Sequence, residues 1–265
     1  QLMQVPLNQP VTAVFNFEYP IGNSPQTFNS NPVLNINYSV MNMIIKFGQS
    51  VSNFTNTDIQ VSQAGSGSLG ALTDEGQQRK WTGTFTANIP YESWSNGDIY
   101  FTLLNTYTVP VGYYPISFDS NNQPTLPNCQ FNVDTIEPTV TSVTSTDGLY
   151  VLNDDIDINI QFSEIVVVTN TPKLRLDLNV GTPYPEADYV SGSGTNTLTF
   201  HYHVEDGDFS NDLAYPTTNS LVNSLNSTIK DNGGNLAILT LPTPGQTGSL
   251  DFNQNIFVDG KPPVL

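Results

Sequence analysis

Acidic side chains gather at turn-like positions of this sequence, and they point to calcium chemistry. Asp134 and Glu137 lie in one short acidic stretch, and Asp206 and Asp208 lie in another. Calcium takes about six to eight oxygen ligands, mostly carboxylates and carbonyls from loops. We therefore predict that these four residues share a calcium ion at a joint in the chain. The competing interpretation is that they form turns, because aspartate bonds readily to its own backbone.

Two histidines offer a second kind of chemistry. His201 and His203 are separated by one residue, so they share one face of a strand, a spacing that can hold a transition metal. Their neighbours Phe200, Tyr202 and Val204 are apolar, which predicts that both imidazoles point to solvent. The sequence identifies no further ligand. It also contains no G-x-S-x-G, P-loop or dinucleotide-binding motif, and we therefore expect a protein that is not an enzyme.

Three asparagines, Asn37, Asn53 and Asn226, begin N-x-S/T sequons. On an exported protein they could carry glycans. Chance sequons are also expected in a chain this rich in Asn, Ser and Thr.

The composition excludes several classes of partner. The chain has 24 acidic and 7 basic residues, which gives a net charge of −17. It therefore lacks the basic surface that binds nucleic acid or anionic membranes. The single cysteine, Cys129, allows no intramolecular disulfide and is expected to be a small buried apolar residue. No apolar run of about 18 residues is present, so we expect no membrane insertion. A start at Gln1 fits a processed, exported form and a trimmed chain equally well.

The elements that position these residues are predicted to be short strands. Apolar and polar residues alternate with a period of two, which is typical of strands with one buried face. The apolar positions of the clearest runs are Leu34, Ile36, Tyr38 and Val40; Ile156, Ile158, Ile160 and Phe162; and Leu198, Phe200, Tyr202 and Val204. Helix signals are nearly absent, and 19 glycines and 19 prolines separate the runs. The pattern predicts an all-β protein built from antiparallel β-sandwiches.

The chain repeats itself at the scale of a domain. Val133-Asp134 recurs as Val258-Asp259, and Pro138 recurs as Pro263, at the same offset of 125 residues. Each module contains a pentapeptide beginning with phenylalanine, FGQSV at 47–51 or FSEIV at 162–166, that precedes a TNT tripeptide at 55–57 or 169–171. Each copy predicts a core strand, a polar tight turn and a second strand, at 59–61 or 174–176. The predicted divisions are an extension at 1–9, sandwiches at 10–137 and 138–262, and a tail at 263–265 that resembles the start of a further module.

The second module contains an ordered series of motifs. They are PTVTSV at 138–143, FSE at 162–164, TPKL at 171–174, YVSGSGTNTLTF at 189–200, GDFSNDL at 207–213, NGGN at 232–235 and VDG at 258–260. This series resembles the bacterial immunoglobulin-like (cadherin-like) tandem repeats of large secreted adhesins and calcium-dependent surface proteins. The first module is similar through VSNFTNTDIQV at 51–61. The resemblance implies immunoglobulin-like β-sandwiches, an extracellular or cell-surface location, a spacer, adhesive or structural role, and no catalysis.

The chain ends suggest an assembly mechanism. An extended apolar segment without a module of its own can complete the sheet of a neighbour, and a head-to-tail contact that does not close produces a filament. The residues expected to take part are Gln1, Val5, Pro262, Pro263, Val264 and Leu265. We therefore expect a fibre subunit whose partners are copies of itself. The alternatives are an adhesin fragment that binds a glycan or host protein through loops of the first module, and an accessory domain of a secreted hydrolase.

Overall fold

The computed structural model describes residues 9–18, 33–37, 39–92, 99–104, 106–110, 113–114, 130–179, 181–224 and 226–261. Two compact units divide the chain between Ile136 and Glu137: unit 1, Gln1–Ile136, and unit 2, Glu137–Leu265. Strands dominate both, so the predicted all-β class is confirmed.

Unit 1 consists of short strands joined by turns. Its strands are β1 (Gln9–Pro10), β2 (Ala13–Glu18), β3 (Val33–Leu34), β4 (Val40–Phe47), β5 (Ile59–Val61), β6 (Gly67–Leu69), β7 (Thr73–Asp74), β8 (Lys80–Ala87), β9 (Ile99–Leu103), β10 (Tyr113–Tyr114) and β11 (Gln130–Val133). A 3₁₀ turn at Asn56–Asp58 precedes β5, and Thr55 and Asp58 cap it reciprocally.

Two sheets of unit 1 pack through aromatic rings. One sheet has the order β2-β4-β8-β6, with β7 also on β8, and the other has the order β3-β11-β9-β5. Phe85 on β8 lies 5.6 Å from Phe101 on β9 and 4.9 Å from Phe131 on β11, between ring centroids. All three rings are fully buried. Edge-to-face contacts of this kind stabilise a core beyond its buried area.

The predicted strand through Leu34, Ile36, Tyr38 and Val40 is wrong. β3 ends at Leu34 and a turn follows at Ile36 and Asn37, before β4 begins at Val40. The backbone N–H of Asn37 donates to Oδ1 of Asn35, 3.1 Å away. Such an Asx turn ends a strand locally, which the alternation of residue types does not reveal.

Unit 2 contains one long strand around which the others are arranged. Its strands are β12 (Val140–Thr144), β13 (Gly148–Val151), β14 (Asp155–Thr169), β15 (Lys173–Arg175), β16 (Glu186–Ser191), β17 (Thr195–His203), β18 (Phe209–Ser210), β19 (Leu221–Val222), β20 (Thr228–Lys230) and β21 (Ile256–Asp259). One sheet has the order β12-β14-β17-β16-β15-β19, with β20 also on β14, and a second has the order β13-β21-β18.

The predicted facing of the two main strands in unit 2 is confirmed. Ile156, Ile158 and Ile160 on β14 are fully buried, as are Leu198 and Phe200 on β17. The strands pair antiparallel, so these side chains line one face of the sheet and form the core. The alternating polar residues therefore lie on the solvent face.

The core strand, tight turn and second strand predicted for the copy that begins with FSEIV are confirmed, because β14 ends at Thr169 and β15 begins at Lys173. Phe162, Ser163 and Glu164 lie inside β14, which continues to Thr169. The register with β17 shifts between Gln161 and Val166, and β14 then pairs with β20. A shift of this kind lets a long strand bend and change partner without ending.

Helix is confined to short segments of the described residues. The α-helix α1, Leu250–Asn253, has a single turn. Among the described residues, no helix has the length and apolar character needed to span a membrane.

Candidate functional site

Asp208 of the predicted calcium group is a loop-closing residue. It is 3 % exposed, and its Oδ2 accepts hydrogen bonds from the Tyr202 hydroxyl at 2.7 Å and the Glu205 backbone N–H at 2.8 Å. Burial raises the pKa of Tyr202 well above its usual range, and the hydrogen bond to Asp208 raises it further. Asp206 is exposed in the same loop. The turn interpretation therefore accounts for the contacts of Asp208.

Glu137 lies at the opposite end of unit 2 from this loop. Two residues after Glu137, the backbone N–H of Thr139 donates to Oγ of Ser163 at 3.0 Å, which places this segment beside Ser163. The loop of Asp206 and Asp208 instead follows His203, the last residue of β17, which pairs with Asp155. Eight residues of strand separate Asp155 from Ser163, roughly 26 Å. The prediction that these acids share one ion is therefore wrong, because the strand register separates them.

Asp134, in unit 1, also has a turn-forming contact. Its Oδ1 accepts the Ile136 backbone N–H at 3.3 Å, and its own N–H donates to the Leu34 carbonyl at 2.8 Å. Its side chain is buried.

A pair of acids that the sequence did not single out lies within unit 2. Carboxylate oxygens of Glu164 and Asp231 are within 4.8 Å of each other. Asp231 is 3 % exposed, and its carboxylate accepts the backbone N–H and the side-chain amide of Asn235, both at 2.8 Å. Glu164 belongs to the FSE motif, and Asp231 directly precedes the NGGN motif. These two motifs were therefore the sequence signal from which the pair could have been found. Two hard oxygen ligands at this separation suit calcium.

The two histidines lie on the exposed face of the sheet, as predicted, and β14 supplies their neighbours. Nδ1 of His201 lies 2.8 Å from Oδ1 of Asp157, and its Nε2 lies 3.3 Å from Oδ1 of Asp155. Nδ1 of His203 lies 2.7 Å from that same Asp155 oxygen. The hydrogen bond to Asp157 raises the pKa of His201, and the hydrogen bond from His203 lowers the pKa of Asp155.

An apolar patch covers the outer face of the small sheet of unit 2. We define the edge patch as Leu149 and Val151 on β13 with Phe257 on β21, which are 64 %, 46 % and 49 % exposed. Leu149 pairs directly with Phe257 in the parallel ladder. β13 is one of the two edge strands of this sheet. An edge strand with apolar side chains is a template for pairing with another chain.

The predicted assembly residues Gln1, Val5, Pro262, Pro263, Val264 and Leu265 lie outside the described residues. The three sequon asparagines, Asn37, Asn53 and Asn226, are exposed. Glycosylation of these residues stays a prediction.

A polar groove of about 400 Å³ lies on the outer face of a unit 1 sheet. The polar side chains that line it are Asn42, Thr73, Glu75, Lys80, Thr82 and Thr84. The Thr82 hydroxyl donates to Glu75 at 2.8 Å. Two aromatic residues of the first module could stack on a sugar. Of these, Tyr91 packs partly against the core, and Trp94 lies outside the described residues.

Comparison with known proteins identified no relative: no family model, curated protein or solved structure matches the chain. The resemblance to immunoglobulin-like repeats therefore stays a prediction.

Proposed function

We propose that this protein is a non-enzymatic, extracellular structural protein whose two immunoglobulin-like β-sandwiches form a subunit of a fibre or stalk. Each unit has its own apolar core, and the sequence repeats at domain length, which suits a modular spacer. The long strands carry polar residues on their solvent face, as a self-supporting module requires.

The observation that carries this proposal is the edge patch. Leu149, Val151 and Phe257 together expose apolar surface beside an outermost strand. A second copy that adds a strand to β13 would pair its backbone and cover these side chains at once. The contact joins two different surfaces, so it repeats from copy to copy and produces a linear polymer when its rotation does not close a ring.

Calcium is the ion we propose for the acidic positions of unit 2. Glu164 and Asp231 supply carboxylates at a suitable separation, and the strongly acidic chain favours divalent cations over anionic partners. Its role would be to stabilise the segment between β20 and the Asn235 turn.

Assembly is tested on the full chain by negative-stain electron microscopy and sedimentation velocity. We expect thin linear fibres from the unaltered protein and folded monomers from the Leu149→Lys, Phe257→Lys double variant. The matched control is Val190→Lys, because Val190 is 53 % exposed but lies on β16, an inner strand of the other sheet. Circular dichroism melts verify that each variant folds.

Three results distinguish which segment is inserted, which surface accepts it and whether fibres form at all. Removal of residues 262–265 alone abolishes fibres if the predicted chain end is the inserted strand. Fibres that survive the double variant contradict the edge patch as the acceptor. An unaltered chain that stays monomeric at high concentration contradicts the fibre proposal altogether.

A second candidate function is glycan binding by the groove of unit 1. Hydroxyl, amide and charged groups converge there, and such groups orient polar ligands. A glycan array with the full chain, repeated with Glu75→Gln and Thr82→Val, tests it. Binding that both variants retain would place the glycan elsewhere.

A further inference from the structure

We propose that His201, His203 and Asp155 form a binding site for a d-block divalent cation such as Zn²⁺ on the exposed face of the large sheet in unit 2. The site is independent of fibre assembly and of the calcium proposed at Glu164 and Asp231. The sequence supplied two histidines without further ligands, and the cross-strand register supplies the missing acids.

The register places acids on the strand beside the histidines. On β14, Asp155 pairs with His203 and Asp157 pairs with His201. All four side chains lie on the solvent face, because the residues between them point into the core. Imidazole nitrogen with carboxylate oxygen is a ligand set typical of zinc.

The contacts of His201 have the form of a metal ligand with its supporting carboxylate. Nδ1 is engaged by Asp157 at 2.8 Å, which fixes the ring and directs Nε2 toward Asp155. Metal-bound histidines generally donate their second ring N–H to such a carboxylate. The structure therefore assigns Nε2 of His201 as the coordinating atom and Asp157 as the residue that positions it.

One separation between ligand atoms already suits a tetrahedral ion, whereas His203 must turn toward it, because the ligand atoms of His201, His203 and Asp155 do not all lie within 4.8 Å of one another. Zinc ligand bonds of about 2.0–2.1 Å place two ligands of a tetrahedron about 3.3 Å apart. Nε2 of His201 and Oδ1 of Asp155 are 3.3 Å apart. Nδ1 of His203 is 2.7 Å from that oxygen, so this contact must open by about 0.6 Å to admit an ion. The side chains of His203 and Asp155 are 53 % and 58 % exposed, which leaves them room to move.

The surrounding charge favours a cation. Asp188 lies across from His201 on β16, and Lys173 pairs with that carboxylate. The adjoining acids Asp155 and Asp157 have no described lysine or arginine partner in an ion pair, and their hydrogen-bond partners are the two histidines. One divalent ion bound between the strands can balance their charge.

Metal titration of the full chain, freed of metals with a chelator, tests the site. Co²⁺ is added while the visible absorption that reports coordination number is recorded, and Zn²⁺ then displaces it. We expect a single equivalent bound in four-coordinate form, with water completing the shell. His201→Gln and His203→Gln each weaken binding by about tenfold or more, and Asp157→Asn weakens it by about tenfold with an unchanged spectrum.

Asp188→Asn is the matched control, because it removes an acid that pairs in register with His201 and that Lys173 already engages. We expect its affinity to stay within about twofold of the unaltered chain. Nitrogen chemical shifts of the imidazoles identify which ring atom coordinates. Absence of binding at about millimolar Zn²⁺ overturns the proposal, as does binding that survives both histidine substitutions.

Discussion

The Tyr202 hydroxyl donates a 2.7 Å hydrogen bond to the carboxylate of Asp208, and this contact closes the loop after β17. The same Oδ2 accepts the Glu205 N–H, so one buried acid holds both the core tyrosine and the loop backbone. A hydrogen bond to a charged acceptor contributes about 1.5–3 kcal/mol. We therefore expect Tyr202→Phe to lower the free energy of unfolding of unit 2 by about that amount, measured by urea denaturation.

Alkaline pH should destabilise unit 2 through its buried tyrosines. Burial raises the pKa of Tyr202 and of Tyr215 above the usual value of 10.0. A raised folded-state pKa gives stability that is fully present below pH 10 and is lost as the pH rises toward the folded-state pKa. The melting temperature, measured between pH 8 and pH 12 in steps of about one unit, should therefore fall beyond pH 10. Tyr202→Phe should reduce that fall, and an identical fall in the variant would contradict the assignment.

The facing of β14 is tested by two substitutions at adjacent positions. Ile156→Asp places a charge at a fully buried site and should cost several kcal/mol, enough to unfold unit 2. Asp155→Asn changes an exposed side chain and should leave stability nearly unchanged. Thermal melts by circular dichroism report both. Equal melting temperatures for the two variants would contradict the assigned faces.

Two glycines in the turn between β16 and β17 make a matched pair. Both have positive φ, +107° at Gly192 and +85° at Gly194. A Cβ at Gly192 would lie 2.1 Å from the Thr197 carbonyl oxygen, whereas a Cβ at Gly194 meets no atom within 4 Å. Gly194→Ala should therefore cost about 1–2 kcal/mol from backbone strain alone, and Gly192→Ala should cost clearly more. Urea denaturation measures the difference, and a larger loss at Gly194 would contradict this turn geometry.

Calcium should raise the melting temperature of unit 2. An ion that binds only the folded state stabilises it by about 2.7 kcal/mol at a hundredfold excess over the dissociation constant. Calorimetry in calcium and in chelator measures the shift, and Asp231→Asn should remove it. Asp206→Asn serves as the control, because Asp206 lies in the loop at the far end of the strands. Identical melts with calcium and chelator would exclude a stabilising calcium site.

Local patterns were sufficient to predict which residues of the main strands are buried. Ile156, Ile158 and Ile160 alternate with polar residues, and period two follows from the pleat of any strand. The same pattern failed between Leu34 and Val40, because an asparagine side chain offered the backbone a turn. Such a local hydrogen bond competes with the ladder without changing the alternation.

The sequence alone determined that this protein is all-β, strongly acidic, repeated at domain length and equipped with solvent-facing histidines. Only the tertiary structure decided which charged groups meet. Asp157 and His201 are brought together by the pairing of β14 with β17, and Glu164 meets Asp231 where β14 changes partner to β20. The register of strands far apart in sequence results from packing of the whole core, so no local pattern contains it.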